Sequence, residues 1–503
     1  MKPEAGFTDD SISFLLEDNE RRLSDTFRGC GDIVILPWQY GPDFEYAAST
    51  VYCESFVKNK KSNFLRDTMQ NLTTLEVGDT SAITLERIVR FFEHHGVTNK
   101  SAFVTDSVQT AIERVLDGHV VVFFDGWNRA VSYPANDTKT REVGEPVNES
   151  VVQGPREGTI ENMDVNLAML RQRVKSPQFK VEFRHAGADL KTRMAFVYLE
   201  HAVKPQVLAE FHSRLEGIEQ VDVMETSHIE DWIEDVTYSP FPQHRYTERT
   251  DTAAAALLDG KILTLVDNTP MILITPATFV EFFGTSEDYY VRTVYATMIR
   301  FLRIGAFFIA LLLPSIYIAL STFHPELIPT VLLLAILDTR EGIPFPALFE
   351  ALIMEITFEL LREAGIRLPK PIGSAVSIVG ALVIGQAAIQ ARIASPIMVI
   401  VVALTGIASF AIPHYEMGIA LRVLRFPLML VVGALGFFGL MAGFLVIFLH
   451  LCSMYTLGEP YLQSLAPLRV KDLRDVFVRA PIKQMLRKPR NPRLLGNPRR
   501  DNR

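Results

Sequence analysis

The sequence predicts an α/β duplicated cytosolic domain followed by an α-helical polytopic membrane domain, on three observations. The first is an abrupt change of solvent preference near Arg303. Up to that point the 503-residue chain is ordinary mixed, acidic sequence, whereas Ile304–Leu457 carries four long uncharged stretches separated by short polar breaks. A charge at the bilayer centre costs roughly 3 kcal/mol on insertion scales, so uncharged runs of this length are hard to place in a soluble core. The second is a repeat within the first 300 residues. The third is the charge distribution: residues 456–503 hold 12 Lys/Arg and 4 Asp/Glu, a net of +8, against −8 for the whole chain.

The repeat is visible in two blocks. LDGHVVVFFDGWNRAVSYP, Leu116–Pro134, aligns with LDGKILTLVDNTPMILITP, Leu258–Pro276, at an offset of 142. Upstream, VYCESFVKNKKSNFLRDTM from Val51 resembles VYLEHAVKPQVLAEFHSRL from Val197 at an offset of 146. Each copy reads as a strand and a helix, then a second helix and a β-hairpin. The second helices span Asp106–Leu116 and Thr250–Leu258 and end at C-cap glycines, Gly118 and Gly260. Asp125-Gly126 and Asp267-Asn268 suit hairpin turns. The expected organisation is an N-terminal extension (1–29), subdomain 1 (30–140), a linker with a helix (141–178), subdomain 2 (179–290), a transmembrane domain (291–457) and a basic tail (458–503).

Several segments between these elements carry charge. In the linker, Asp164 can cap a helix with Val165, Leu167, Leu170 and Val174 on one stripe and Arg171 and Arg173 beside it. The QGPREGT turn before it presents Arg156 and Glu157, either as a partner or anion contact or as a salt-bridged linker. SPFPQHRYTERTD, Ser239–Asp251, is broken by two prolines and includes Arg249; it contacts a ligand or neighbouring subunit, or packs over subdomain 2. Glu287 and Asp288, before two tyrosines, form either an interfacial collar or a helix N-terminus whose dipole favours carboxylates. Arg156, Glu157, Arg249, Glu287 and Asp288 are thus the candidates for coupling and assembly.

In the membrane part, Ile304–Phe323, Ile372–Ala391, Ile393–Pro413 and Phe426–Leu449 are each long enough to cross about 30 Å of hydrocarbon. Pro325–Lys370 is different, and 325–365 is expected to be broken or re-entrant. Ile328–Leu337 is too short to span, and Phe345–Leu361 is a good helix that carries Glu350, Glu355 and Glu359. At 100° per residue Glu355, Glu359 and Glu363 share one face. Such a helix either lines water as a pore or gating element or lies flat at the interface. Glu350, Glu355, Glu359 and Glu363 are the pore and gating candidates. Gly380, Gly385, Gly439 and Gly443 let helix backbones approach closely. A crossing by the short segment gives five spans and a tail on the outside; the even number is preferred. Four spans, with Pro325–Lys370 re-entrant, put both termini on one side. The absence of an apolar leader in the first 22 residues and the basic tail make that side the cytoplasm.

The same residues argue against other classes. Three cysteines, Cys30, Cys53 and Cys452, fall at no disulfide or zinc spacing, and no metal or cofactor is expected. No GxSxG, HExxH, Walker A or GxGxxG is present, which points away from an enzyme. The basic tail reads as lipid-facing rather than as a nucleic-acid arm.

The motifs VVQGPREGTIEN, SPFPQ, TER, EDYY, LLLPSIYIALSTFHPELIPT, GIPFPALFEALIMEITFELLREAGIRLPKPIGSAVSIVGALVIGQAA and SPIMVIVVALTGIASFAIP resemble the A subunit of GerA-type spore-germination receptors, over about Val151–Pro467. The sequence departs from the family's pattern at Thr250 and Gln153. The resemblance implies a spore inner-membrane protein that acts with a transporter-like B subunit and a lipoprotein C subunit. It also implies a homo-oligomer forming a nutrient-gated path for monovalent cations. A stage V AF-like accessory channel and a non-conducting scaffold subunit are the alternatives it leaves.

Overall fold

Both α/β blocks form a five-stranded sheet, and the two sheets have the same strand order. The computed structural model describes residues 10–40, 45–57, 103–135, 144–146, 148–149, 153–463, 465–466 and 475–481, leaving aside the side chains of 370–379. The first block contains α1 (Leu16–Thr26), β1 (Ile33–Tyr40), β2 (Tyr46–Cys53), β3 (Phe103–Thr105), α2 (Val108–Leu116), β4 (His119–Phe124) and β5 (Ala130–Pro134). After α3 (Met163–Arg173), the second contains β6 (Phe179–Ala186), β7 (Thr192–Leu199), α4 (Pro205–Arg214), α5 (Thr226–Ile233), β8 (Arg245–Thr247), α6 (Thr250–Leu258), β9 (Ile262–Val266) and β10 (Ile272–Thr275). The sheet orders are β1-β2-β4-β5-β3 and β6-β7-β9-β10-β8. Val108 and Thr250 open α2 and α6 142 residues apart, and Tyr46 and Thr192 open β2 and β7 146 apart, the two offsets found in the sequence. The helix expected after Val51 lies outside the described residues; its counterpart is α4.

Local chemistry explains the shared elements. Ser107 caps α2 by accepting from Thr110 N at 3.0 Å, so the helix starts two residues after the expected Asp106. Gly118 and Gly260 both take φ +81° after their helices, and Gly126 and Asn268 take positive φ in the hairpin turns. In β4 the side chains alternate. Val121 and Phe123 pack with α1 and α2, while Val120, Val122 and Phe124 pack on the opposite face with Ala168 of α3. Leu167 and Leu170 of α3 join the core of the second sheet. The linker helix is therefore a shared layer between the two sheets. Its cap is Asn162, which accepts from Val165 N at 3.1 Å, and not Asp164, which pairs with Arg193 at 2.9 Å. Residues expected to be an N-terminal extension include α1, whose Leu16 and Leu23 are buried in the first core.

By internal contacts the described chain divides in two, and a second unit is formed by residues 234–245 and 276–481. It contains α7 (Thr293–Thr322), α8 (Thr330–Arg340), α9 (Ala347–Arg367), α10 (Lys370–Gln390), α11 (Pro396–Phe410) and α12 (Tyr415–Ser453). Among the described residues, α7 and α12 are long and apolar enough to cross a membrane.

The α12 helix is not straight. Gly436 adopts φ 60°, ψ −139°, a conformation essentially reserved for glycine. A Cβ on Gly439 would lie 2.6 Å from the Val431 carbonyl oxygen, and one on Gly443 2.5 Å from Leu428 Cδ1. In an unbroken helix at 1.5 Å per residue those pairs would be about 12 and 22 Å apart. The helix therefore doubles back at Gly436 into two arms, 415–435 and 437–453. The expected span Phe426–Leu449 is corrected accordingly, because it straddles this turn.

The contacts also fix directions. Leu348 meets Gly433, Glu355 meets Arg425 and Glu359 meets Arg422, so α9 runs antiparallel to the first arm. Glu350 meets Ser395 and Phe358 meets Gly406, so α11 runs with α9. Leu361 meets Gly380, and Gly342 at the other end of α9 meets Arg392, so α10 opposes it. Ala310 meets Arg425 and Phe323 meets Gly436, so α7 runs with the first arm. Six segments thus alternate in direction, and residues 293 and 453 lie at one end. The 325–365 region is broken at residues 341–346, between α8 and α9, and α9 itself is continuous for 21 residues and packs within this bundle. The expected span Ile393–Pro413 is helical for only 15 residues, about 22 Å.

Candidate functional site

Glu350, Glu355 and Glu359 lie along one helix, and each meets a partner from a different part of the helical unit. Pro346 precedes α9 and cannot continue a helix backwards, while the Leu, Ile, Met and Glu that follow are strong helix formers. At 100° per residue Glu355 and Glu359 are 40° apart and face α12, whereas Glu350 is turned 140° from Glu355 and faces the start of α11.

Glu350 is fully buried. Its Oε1 accepts from Ser395 N and Oγ, both at 2.5 Å, which caps the start of α11, and Arg340 Nε stands 3.7 Å from its Oε2. Glu355, 2 % exposed, accepts from Arg425 Nη1 at 2.5 Å. Arg425 Nε donates to the Ala310 carbonyl at 2.9 Å. That carbonyl is free for a reason readable from the sequence. Pro314, four residues on in α7, has no N–H to offer it. Glu359 pairs with Arg362 on its own helix and stands 3.6 Å from Arg422 Nη1. Glu363 is exposed and pairs with Arg367 at 2.6 Å.

The arrangement is incomplete in hydrogen bonds. Glu350 Oε2, Glu355 Oε1 and Arg425 Nη2 are buried without a hydrogen-bond partner, as are the nearby hydroxyls of Ser315 and Tyr317. A buried polar atom without a partner costs about 1–3 kcal/mol, more when charged. The ladder therefore holds α7, α9, α11 and α12 together and keeps unmet polar capacity at its centre.

The other candidates serve the chain's own architecture. Arg156 and Glu157 do not pair with each other: Arg156 pairs with Glu145 at 3.2 Å, exposed, and Glu157 with Arg173 at 2.9 Å. The QGPREGT turn lies along TERTD, since Thr159 N donates to the Glu248 carbonyl at 2.7 Å and Gly158 bridges Arg249. Arg249 is buried and forms a bidentate pair with Asp251 at 3.0 and 2.6 Å. SPFPQ packs on the end of α12 and against Phe279, and Ala277 N donates to the Gln243 carbonyl at 3.1 Å. Ser239 Oγ lies 2.9 Å from His450 Nε2, and Tyr461 OH donates to the Pro242 carbonyl at 2.7 Å. Asp288 is buried in a capping box with Thr285 and receives Arg300 at 3.2 Å and Arg303 at 2.9 Å, while Glu287 beside it is half-buried. Gly380 and Gly385 face Leu361 and Val399, whereas Gly439 and Gly443 join the two arms of α12 to each other.

Sequence reasoning passed over a second buried pair. Arg171 of α3 donates to Asp32 from Nε at 3.0 Å and Nη2 at 2.5 Å, to the Ser176 carbonyl from Nη1 at 3.1 Å, and lies over the Phe179 ring. Burial opposes its charge, but Asp32 holds its pKa above the usual arginine value. Cys53 donates to Asp32 at 3.4 Å, and Cys30 Sγ faces the Phe179 carbonyl at 3.3 Å; burial pushes both thiols up. Among the described residues no group of three or more His, Cys, Asp or Glu is placed to hold a metal.

The model of the Bacillus/Clostridium GerA spore germination protein family matches residues 21–491. The chain belongs to the GerA family. It is 46% identical over 364 residues to spore germination protein KA of Bacillus subtilis (strain 168), covering 72% of this chain and 67% of that one. It is 41% identical over 483 residues to YfkQ of the same organism, named an uncharacterized membrane protein, covering 96% and 92%. Among solved structures, the N-terminal domain of the A subunit of the Bacillus megaterium spore germinant receptor GerK3 is 27% identical, covering 54% of this chain and 98% of that one at a TM-score of 0.41. The GerA membership agrees with the family resemblance carried by the loop and helix motifs. In this GerA chain QGPREG and TER form one contact, and GIPFPALFEALIMEITFEL supplies the acidic side of the buried ladder.

Proposed function

We propose that this chain is the A subunit of a spore germinant receptor, working with B and C subunits in the spore inner membrane, and that its copies assemble into a nutrient-gated path for monovalent cations. The observation that carries the gating part is the Glu355–Arg425 contact. It ties α9 to α12 and, through the carbonyl freed by Pro314, to α7, yet leaves one polar atom on each partner unmatched. A contact of this kind has a second arrangement available to it. An effector acts by binding one arrangement better than the other.

Membrane placement of the helical unit is supported by its surface. Val331, Leu334 and Leu337 of α8, and Phe438 of the second arm of α12, are large apolar residues more than half exposed, which suits a lipid-facing surface. Alternating segments that bring residues 293 and 453 to one end support an even number of crossings. The soluble unit and basic tail would then share the cytoplasmic side. Within an oligomer the exposed faces of α8 and α9 would meet lipid or a neighbouring copy. Displacement of α9 would bring Glu355 and Glu359 to the conducting path, where carboxylates favour cations.

One observation favours a second reading, a non-conducting scaffold subunit: Glu350 and Glu355 are closed off inside a single protomer. Two measurements on the purified chain, alone and with its partner subunits, separate these readings. They are the mass of the detergent-solubilised particle and cation release from liposomes on addition of nutrient. Oligomers that release potassium support the channel; oligomers that release none, with or without partners, support the scaffold; a monomer in every preparation rules out both.

A further inference from the structure

We propose that the helical unit holds one acyl chain of an anionic phospholipid in an aromatic cavity, with the phosphate at an arginine–aspartate rim beside it. The cavity, about 310 Å³, is lined by Phe279, Phe283, Phe307, Phe308, Phe444 and Phe448. This is within the range of about 300–1,000 Å³ typical of ligand sites. It offers nothing to water, which needs two to four polar partners to be held in a protein interior. Phe308 and Phe448 are also 43% and 46% exposed on the outside of the bundle. The cavity thus continues the apolar surface that meets lipid if the helical unit is in a membrane. That placement is the one part of the proposed function on which this site rests; conduction is not needed.

The rim adjoins the cavity through two of its lining residues. Arg303 Nη1 donates to the Phe283 carbonyl at 3.1 Å, and Arg300 Nη1 reaches the Val476 carbonyl at 3.5 Å. Arg300 and Arg303 share Asp288, Arg300 also meets Asp475 at 3.3 Å, and Arg479 Nη2 donates to the Tyr289 carbonyl at 2.9 Å. Three arginines against two aspartates leave this cluster positive. The Nε of Arg479, a buried residue, has no acceptor. The sequence continues into the basic tail, which adds charge of the same sign. An apolar slot opening on the lipid side beside a positive rim fits an acyl chain with an anionic head group, and fits a neutral or cationic lipid less well.

Tryptophan quenching by bromine-labelled chains tests the site in the full chain. Val280→Trp and Leu465→Trp place reporters on the cavity wall, and Phe438→Trp places one on the outer surface. The native Trp38, Trp127 and Trp232 lie in the soluble unit and give a constant background. The chain is reconstituted in phosphatidylcholine containing increasing brominated phosphatidylglycerol, then in a matched series with brominated phosphatidylcholine. The cavity reporters should reach half-maximal quenching at a several-fold lower mole fraction of brominated phosphatidylglycerol than Phe438→Trp, and brominated phosphatidylcholine should not reproduce this. Equal curves for cavity and surface reporters overturn the site in favour of ordinary annular lipid. Equal efficacy of the two head groups overturns the anionic assignment. Cavity reporters that no lipid quenches, beside a quenched Phe438→Trp, show that protein fills the slot. If Phe438→Trp is also unquenched, the membrane placement itself fails.

Discussion

The two units each bury an arginine–carboxylate pair at 2.5 Å, yet the pairs are finished differently. Asp32 and Arg171 meet twice, the third guanidinium nitrogen reaches a backbone carbonyl, and the ring of Phe179 covers the cation. Glu355 and Arg425 meet once, and each keeps a buried atom with no hydrogen-bond partner. Burying two charges is costly, and their attraction offsets the cost only when the remaining polar atoms are satisfied. The first pair meets that condition and acts as a fixed staple between the two α/β subdomains. The second does not, and under the gating proposal it is the pair that a competing partner or a shift of α9 would displace. Completeness of the hydrogen bonding, rather than distance, separates a structural pair from a movable one.

The largest expected effect falls on the complete pair. Arg171→Met strands Asp32 in the interior and should destabilise the α/β unit by about 3–5 kcal/mol. The tryptophans at 38, 127 and 232, all in that unit, report the loss in a denaturant titration of the full chain. Adding Asp32→Leu to Arg171→Met should recover part of it. A loss under about 1 kcal/mol would mean the staple is no more binding than a surface pair.

The turn in α12 comes next. Gly436→Ala puts a Cβ at a glycine-only conformation, within 2.9 Å of Phe323 Cβ, and should cost about 1–3 kcal/mol. If instead α12 is one straight span, the substitution should be neutral or stabilising, since alanine favours helices by about 1 kcal/mol. Thermal unfolding in detergent distinguishes the two.

A smaller effect concerns the thiols around Asp32. Burial raises the pKa of Cys30 and Cys53, so both stay protonated through the range in which an ordinary cysteine, with pKa near about 8.5, becomes thiolate. Between pH 7 and 9 their maleimide labelling in the folded chain should stay low and nearly flat. After denaturation it should rise steeply with pH. Arg171→Met should make the folded chain label, because the layer that covers them loosens. With the exposed Cys452 replaced by Ser, labelling of the native chain that follows pH like a free thiol would show the staple opening on its own.

The sequence made the duplicated fold legible because its signals are local. Glycines after α2 and α6 and turn residues in both hairpins recur at fixed offsets, and a repeat doubles the evidence for each. The staple was not legible, because Asp32 and Arg171 are 139 residues apart and no short-range pattern joins them. The helical unit was less legible in two ways. Arg422 and Arg425 stand just before an uncharged run that begins at Phe426, and nothing in that local pattern marks them as buried. Their partners on α9 draw both inside, Arg425 almost completely. The glycines at 436, 439 and 443 suggested a packing stripe on one helix, whereas Gly436 reverses the chain and the other two close the resulting arms. The acidic face of α9 was visible from its period alone. Its partners were not.

Cation release from liposomes loaded with the receptor complex tests the central claim most directly, namely that the under-satisfied Glu355–Arg425 pair controls the path. Wild type should release potassium only on addition of nutrient. Glu355→Gln and Arg425→Gln should each shift that dependence in the same direction, and the double variant should match the singles rather than their sum, because all three remove one interaction. Nutrient-dependent release that is unchanged in both single variants, with the assembled complex intact, would contradict the account.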